Sequence, residues 1–192
     1  MTAEAGWFET LERRTAYEGW SNVHVDQVRM PDGGVVQREV VEHMGAVAVV
    51  PLLDDGSVVL LRQYRHAVGG YVLEIPAGKL DVDGEAPVDA AQRELAEEIG
   101  MRASELVELT TILNSAGWTD ETTSIHLGRG LVEAPRPDDF ILEAEEADME
   151  ILRLPLTDAL EAVSTGTIRD AKTVVGLLLT QRVLQTGRHD GE

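Results

Sequence analysis

The sequence predicts an α+β fold, and three observations predict it. Short segments rich in Val, Leu and Ile recur between Gly, Pro and Asp clusters, as strands do. One stretch of helical period, residues 87–99, lies in their midst. Two more, residues 157–164 and 170–185, follow the last strand-like segment. Strands around a central helix, with more helix at the end, make a layered α+β domain.

Taken in order, Val23, Val25, Val28 and Met30 give an imperfect strand alternation. Pro31-Asp32-Gly33-Gly34 is a turn signal, and residues 35–42 read as the returning strand of an N-terminal hairpin ending near Gly45. AVAVVPLL (46–53) is a continuous apolar run, typical of a strand covered on both faces. A turn at 54–57 leads to a strand at 58–66, and residues 71–75 form a short one. Pro87 suits an early helix position, where its missing donor costs nothing, and Gly100 suits the left-handed residue that ends a helix. Between them Val88, Ala91, Leu95 and Ile99 make one apolar stripe. Strands at 106–113 and 124–129 are split by the loop NSAGWTDE (114–121). A polar loop at 133–147 precedes the strand MEILRLP (149–155), after which the two closing helices begin.

Composition excludes several functions. The chain of 192 residues is 43% hydrophobic, enough for a sizeable core, and carries a formal net charge of −19. Phosphate-backbone binding needs clustered Lys and Arg, so nucleic acid and anionic membrane surfaces are not expected partners. With no cysteine, thiol chemistry and disulfides are excluded. No run approaches the roughly 20 apolar residues of a membrane span, and the first residues lack the apolar segment of a signal peptide. The expectation is a cytoplasmic protein.

The chemistry concentrates in IPAGKLDVDGEAPVDAAQRELAEEIGM, residues 75–101. On a helical wheel Glu94, Glu97 and Glu98 share one arc beside the apolar stripe. Like charges one turn apart destabilise a helix by about 0.2–0.5 kcal/mol per pair, so a cation between them is the economical explanation. A solvated acidic face is the alternative. The stretch resembles the Nudix box of Nudix hydrolases, Gly-x5-Glu-x7-Arg-Glu-U-x-Glu-Glu-x-Gly-U with U aliphatic. It departs at one point: six residues, not five, separate Gly78 from Glu85. The extra residue lies in the loop and leaves the helix register intact.

This resemblance implies the Nudix α/β/α sandwich around a mixed sheet. The segments QVRMPDGGVVQREVVEHMGAVAVV, QYRHAVGGYVLEIPAGKLDVDGE and EEADMEI extend it to the ADP-ribose pyrophosphatases of actinobacterial type. That likeness implies an N-terminal β-hairpin subdomain (1–44) exchanged in a homodimer, and a hydrolase domain over 45–192. It implies hydrolysis of ADP-ribose to AMP and ribose 5-phosphate with Mg²⁺, or Mn²⁺ in its place. The metal ligands it implies are Glu94, Glu98, the backbone carbonyl of Ala77, and Glu97, whose alternative is an ion pair with Arg93. Arg93 and Glu85 are then structural. The implied general base is Glu146, with Glu145 the runner-up. Arg65 matches a diphosphate or ribose contact, or else an exposed strand charge. Arg38 and Glu39 match adenine-side positions. Glu74 and Glu121 match acidic positions near substrate, Glu74 being alternatively an alternating polar strand position. Gly117 lets its loop pass the terminal ribose, and Trp20 neighbours adenine or anchors the fold. Two rival readings stand beside this one. The first is the same chemistry on another nucleoside diphosphate sugar or an oxidised nucleotide. The second is a non-catalytic ADP-ribose sensor, against which the complete box argues.

Overall fold

In a computed structural model of the chain, residues 7–136 and 148–187 are described. They fall into two units. The first comprises Met1–Met44 and Leu113–Thr122. The second comprises Gly45–Ile112 and Thr123–Glu192.

In the first unit, β1 (Glu9–Tyr17), β2 (Asn22–Arg29) and β3 (Val35–Glu42) form an antiparallel sheet in that order. The expected hairpin is β2–β3, turned at Gly33 with φ of 86°. β1 is a third strand that the sequence does not announce. All nine of its residues are exposed, so no apolar face imposes an alternation on ETLERRTAY. It is pinned instead by Arg13, whose Nε and Nη2 both donate at 2.8 Å to the buried Asp26 of β2. The segment 113–122 runs along β3. Val41 N–H donates to the Trp118 carbonyl at 2.7 Å, and His43 N–H to the Asp120 carboxylate at 2.8 Å.

In the second unit, alternation along the strands decides the architecture. Its strands are β4 (Ala46–Pro51), β5 (Ser57–Arg65), β6 (Gly70–Glu74), β7 (Ala77–Lys79), β8 (Met101–Leu113), β9 (Thr122–Glu133) and β10 (Glu150–Pro155). The helices are α1 (Pro87–Ile99), α2 (Leu156–Ser164) and α3 (Ala171–Thr186). Ala48 and Val50 of β4, with Val58 and Leu60 of β5, join Leu156, Ala159 and Leu177 of α2 and α3 in one cluster. Their neighbours Val47, Val49, Val59 and Leu61 join Ala90, Ala91, Leu95 and Ile99 of α1 in another. Helices therefore cover both faces, as the continuous apolar run required. One sheet has the order β7-β4-β9-β8, with β4 parallel to β9 and antiparallel to β7. Parallel and antiparallel pairs in one sheet make it mixed, as expected. A second sheet has the order β10-β5-β6.

Helix α1 begins at Pro87 and closes on Gly100 at φ of 65°, as the two punctuating residues predict. The buried arc is rotated from the expected stripe towards the glutamates. Ala90, Ala91, Glu94, Leu95 and Glu98 are buried, whereas Val88, in the first turn, is 44% exposed. Helix α3 starts at Asp170, whose carboxylate accepts the Thr173 N–H at 2.9 Å and caps the helix. Its Gly176 brings α3 close to the sheet: a Cβ there would lie 2.8 Å from Val50 Cγ2.

Candidate active site

The loop after β6 and the inner face of α1 build the site. β7 is short, and its Gly78 pairs with Val47 of β4. A Cβ on Gly78 would fall on the carboxylate of Glu94. Gly78 is therefore required for space, not for a left-handed backbone. One residue earlier, Ala77 N–H donates to Glu98 Oε2 at 2.9 Å. Glu94 and Glu98, one helical turn apart, are thus buried with both carboxylates against Ala77–Gly78.

Burial pushes the Glu94 carboxyl up to about 7. The Arg93 guanidinium pulls it down, and Glu97 and Asp81 push it up. Arg93 is the hub of the acidic cluster. Its Nη1 donates to Glu94 Oε1 at 2.6 Å and to Glu97 Oε2 at 3.0 Å. Its Nη2 donates to Glu85 Oε2 at 3.1 Å and to the Lys79 carbonyl at 3.2 Å. Burial would lower the Arg93 pKa, but the Glu85 hydrogen bond and the surrounding carboxylates raise it. The extra box residue is absorbed in a turn, where Glu85 N–H meets the Val82 carbonyl and Gly84 takes φ of 78°. Glu85 still reaches Arg93. The alternative for Glu97, an ion pair with Arg93, is present.

Among the described residues, no three His, Asp or Glu side chains stand together as a ready metal cluster. The donors still suit a hard divalent cation, which prefers carboxylate and carbonyl oxygens. Two buried carboxylates lie one turn apart against Ala77–Gly78, and Glu94 is disfavoured as an anion even with the Arg93 guanidinium beside it.

Beside this cluster lies a second network. Glu74, at the end of β6, is only 3% exposed. Arg65 of β5 grips it with Nε and Nη2 at 2.8 and 2.9 Å. Lys172, in the first turn of α3, donates to Glu74 Oε2 and, at 3.0 Å, to Asp170 Oδ1. Burial alone would raise the Glu74 carboxyl. Arg65 and Lys172 together overcome that and bring it down to about 2. Glu74 is thus a buried carboxylate ion-paired to both Arg65 and Lys172. Lys172 escaped the sequence because it lies 98 residues from Glu74 and no local spacing links them.

The Glu74 value carries a stability consequence. It lies below the ordinary 4.5, so Glu74 stabilises the fold above that pH and loses this as pH falls towards 2. By pH 3 the loss is about 2 kcal/mol. Urea unfolding at pH 6 and pH 3 should show a drop in wild type larger by about that amount than in Glu74→Gln. Equal drops would contradict the assignment.

Arg38, Glu39, Gly117, Glu121 and Trp20 lie in the first unit. Arg38 and Glu39 are exposed on β3, Glu39 opposite Val25. Gly117 is exposed, and a Cβ there would have open space around it. Glu121 N–H donates to Thr119 Oγ1 at 3.1 Å. Trp20 is 86% exposed. Glu145 and Glu146 lie outside the described residues.

A mixed-sheet sandwich with a Gly-x6-Glu-x7-Arg-Glu helix presenting buried glutamates to the preceding loop defines a class. Residues 42–174 match the NUDIX domain family, and the chain belongs to it. Members of this family generally depend on a divalent metal ion. More particularly, the chain is 42% identical to the ADP-ribose pyrophosphatase of Mycobacterium tuberculosis, over 92% of this chain and 84% of that one. It is 36% identical to the ADP-ribose pyrophosphatase of Bacillus subtilis, over 83% and 84% respectively. A crystal structure of an ADP compounds hydrolase has the same fold, with a TM-score of 0.82 at 22% identity over 97% of this chain and 98% of that one. Among the described residues no helix is long and apolar enough to cross a membrane.

Proposed function

We propose that this protein is an ADP-ribose pyrophosphatase that hydrolyses ADP-ribose to AMP and ribose 5-phosphate. The observation that carries the reading is the buried pair Glu94 and Glu98 against Ala77–Gly78, in a chain whose relatives bear that name. Glu94, Glu98 and the carbonyl of Ala77 would hold Mg²⁺, with Mn²⁺ as the alternative and Glu97 as a supporting ligand. A bound divalent ion supplies charge neutralisation at the phosphoryl oxygens and acidifies water.

The chain's own groups do the rest. Arg65 offers the guanidinium edge not used by Glu74 to a diphosphate oxygen. Arg38 and Glu39 serve the adenine side, Gly117 lets its loop pass the terminal ribose, and Glu121 stands as an acidic group near the substrate. Glu146, or Glu145 beside it, takes the proton from the attacking water. The water oxygen bonds to one phosphorus as the bridging P–O bond breaks. The reading includes a cytoplasmic homodimer with residues 1–44 exchanged. What supports a second copy is the exposure of Trp7, Phe8, Leu11 and Tyr17 at and beside β1.

The test is a chromatographic assay of ADP-ribose, GDP-sugars, UDP-sugars and an oxidised nucleotide with Mg²⁺. Equimolar AMP and ribose 5-phosphate are expected, with kcat/KM for ADP-ribose at least about tenfold above the others. Faster cleavage of a GDP-sugar would overturn the substrate; no cleavage of any compound would overturn the enzyme.

A further inference from the structure

Arg65 and Glu74 are joined by a two-point bond, but a third group fixes the carboxylate that receives it. Lys172 donates to Glu74 Oε2, the same oxygen that accepts Arg65 Nη2. Lys172 is itself held in place. Asp170 accepts from its Nζ at 3.0 Å while capping α3 through the Thr173 N–H. Thr173 Oγ1 accepts the Ile75 N–H at 2.9 Å, on the residue next to Glu74. The first turn of α3 is therefore fastened to the end of β6 at two adjacent residues, once through side-chain charge and once through backbone.

Exposure differs along this chain of contacts. The Glu74 side chain is 4% exposed and that of Lys172 16%, whereas that of Arg65 is 43% exposed. Only the arginine end meets solvent freely. The charges of Glu98 and Asp170 also favour the charged form of Arg65, after the hydrogen bond and charge of Glu74. Counting formal charges, Arg65, Glu74, Lys172 and Asp170 sum to zero. Without Lys172 the group sums to −1, in a site already rich in carboxylates and read as taking an anionic diphosphate.

We infer that Lys172 is a positioning residue for substrate binding: through Glu74 it fixes the plane of the Arg65 guanidinium and offsets the negative charge behind it. The inference rests on the reading of Arg65 as a diphosphate contact. Lys172 itself touches no substrate. Its removal frees the Glu74 carboxylate to rotate, loosens the Arg65 fork, and leaves an excess negative charge where a diphosphate must bind. The loss then appears in substrate binding before chemistry.

Steady-state kinetics on ADP-ribose with Mg²⁺ would compare wild type, Lys172→Met, Lys172→Arg, Arg65→Met and the Arg65→Met/Lys172→Met pair. Lys172→Met should raise KM about tenfold with kcat within about threefold, and Lys172→Arg should restore most of the KM. In the Arg65→Met background, Lys172→Met should raise KM by less than it does in wild type, because the positioning part of its effect is already lost and only the charge part remains. An unchanged KM in Lys172→Met, with a raised KM in Arg65→Met, overturns the inference and leaves Arg65 as a substrate ligand. Full additivity of the pair overturns it too. An unchanged KM in Arg65→Met removes the reading of Arg65 beneath it, and the inference with it. Should Lys172→Met fail to fold, Lys172→Gln, which can still donate to Glu74, should raise KM about threefold; no rise there overturns the inference.

Discussion

Glu98→Gln should lower kcat for ADP-ribose about a thousandfold, or about 4 kcal/mol of transition-state stabilisation, while leaving the fold intact. The side chain makes two separable contributions. Structurally, its Oε2 accepts the Ala77 N–H at 2.9 Å, and a glutamine oxygen can accept the same bond. Chemically, glutamine offers no anionic oxygen to a divalent ion. Thermal unfolding should therefore change little, whereas turnover at saturating Mg²⁺ should collapse. A variant that keeps more than a tenth of wild-type kcat would remove Glu98 from the proposed ligand set.

The second large effect is expected from one methyl group. Gly78→Ala adds a Cβ where the Glu94 carboxylate now sits. Gly78 does not have a positive φ, so the backbone tolerates alanine and the nearest conflict is with Glu94. Either the carboxylate leaves its place against β7 or the strand moves. Overpacking of this kind costs about 1–3 kcal/mol of stability. The Mg²⁺ concentration for half-maximal rate should rise, and kcat/KM should fall about a hundredfold. Shortening the displaced side chain in Gly78→Ala/Glu94→Asp should recover part of the loss in stability. If Gly78→Ala matches wild type in rate and Mg²⁺ requirement, the Glu94 carboxylate does not work from that position.

How much of this could be read from residues alone depends on how local the cause is. Helix α1 was legible at both ends because Pro87 and Gly100 act on their own backbone. The run 46–53 was legible as a strand covered on two faces because each alternate set is apolar. β1 was not, since its nine exposed residues carry no alternation and its anchor is an arginine reaching a neighbouring strand. β7 was not, being three residues long with a glycine at its centre. Within the site, the glutamates of one helix could be placed by spacing. The ties of Glu74 could not, because Lys172 arrives from the far end of the chain. Val88 shows the limit of a wheel: it meets the apolar spacing, but the buried arc turns towards Glu94 and Glu98.

The two-cluster arrangement also bears on how the strands find their alignment. Along β4, the set Val47 and Val49 and the set Ala48 and Val50 are both apolar, so a slide by one position would exchange two nearly equivalent faces. Hydrophobicity alone distinguishes the two settings poorly. Polar groups that tolerate no such exchange do better: the Gly78–Glu94 fit, the Ala77–Glu98 bond and the Glu74 ion pairs each exist in one setting only. The residues proposed for the chemistry thereby also favour one strand setting, and neutralising several of them together should yield a protein that collapses readily yet settles into more than one strand alignment.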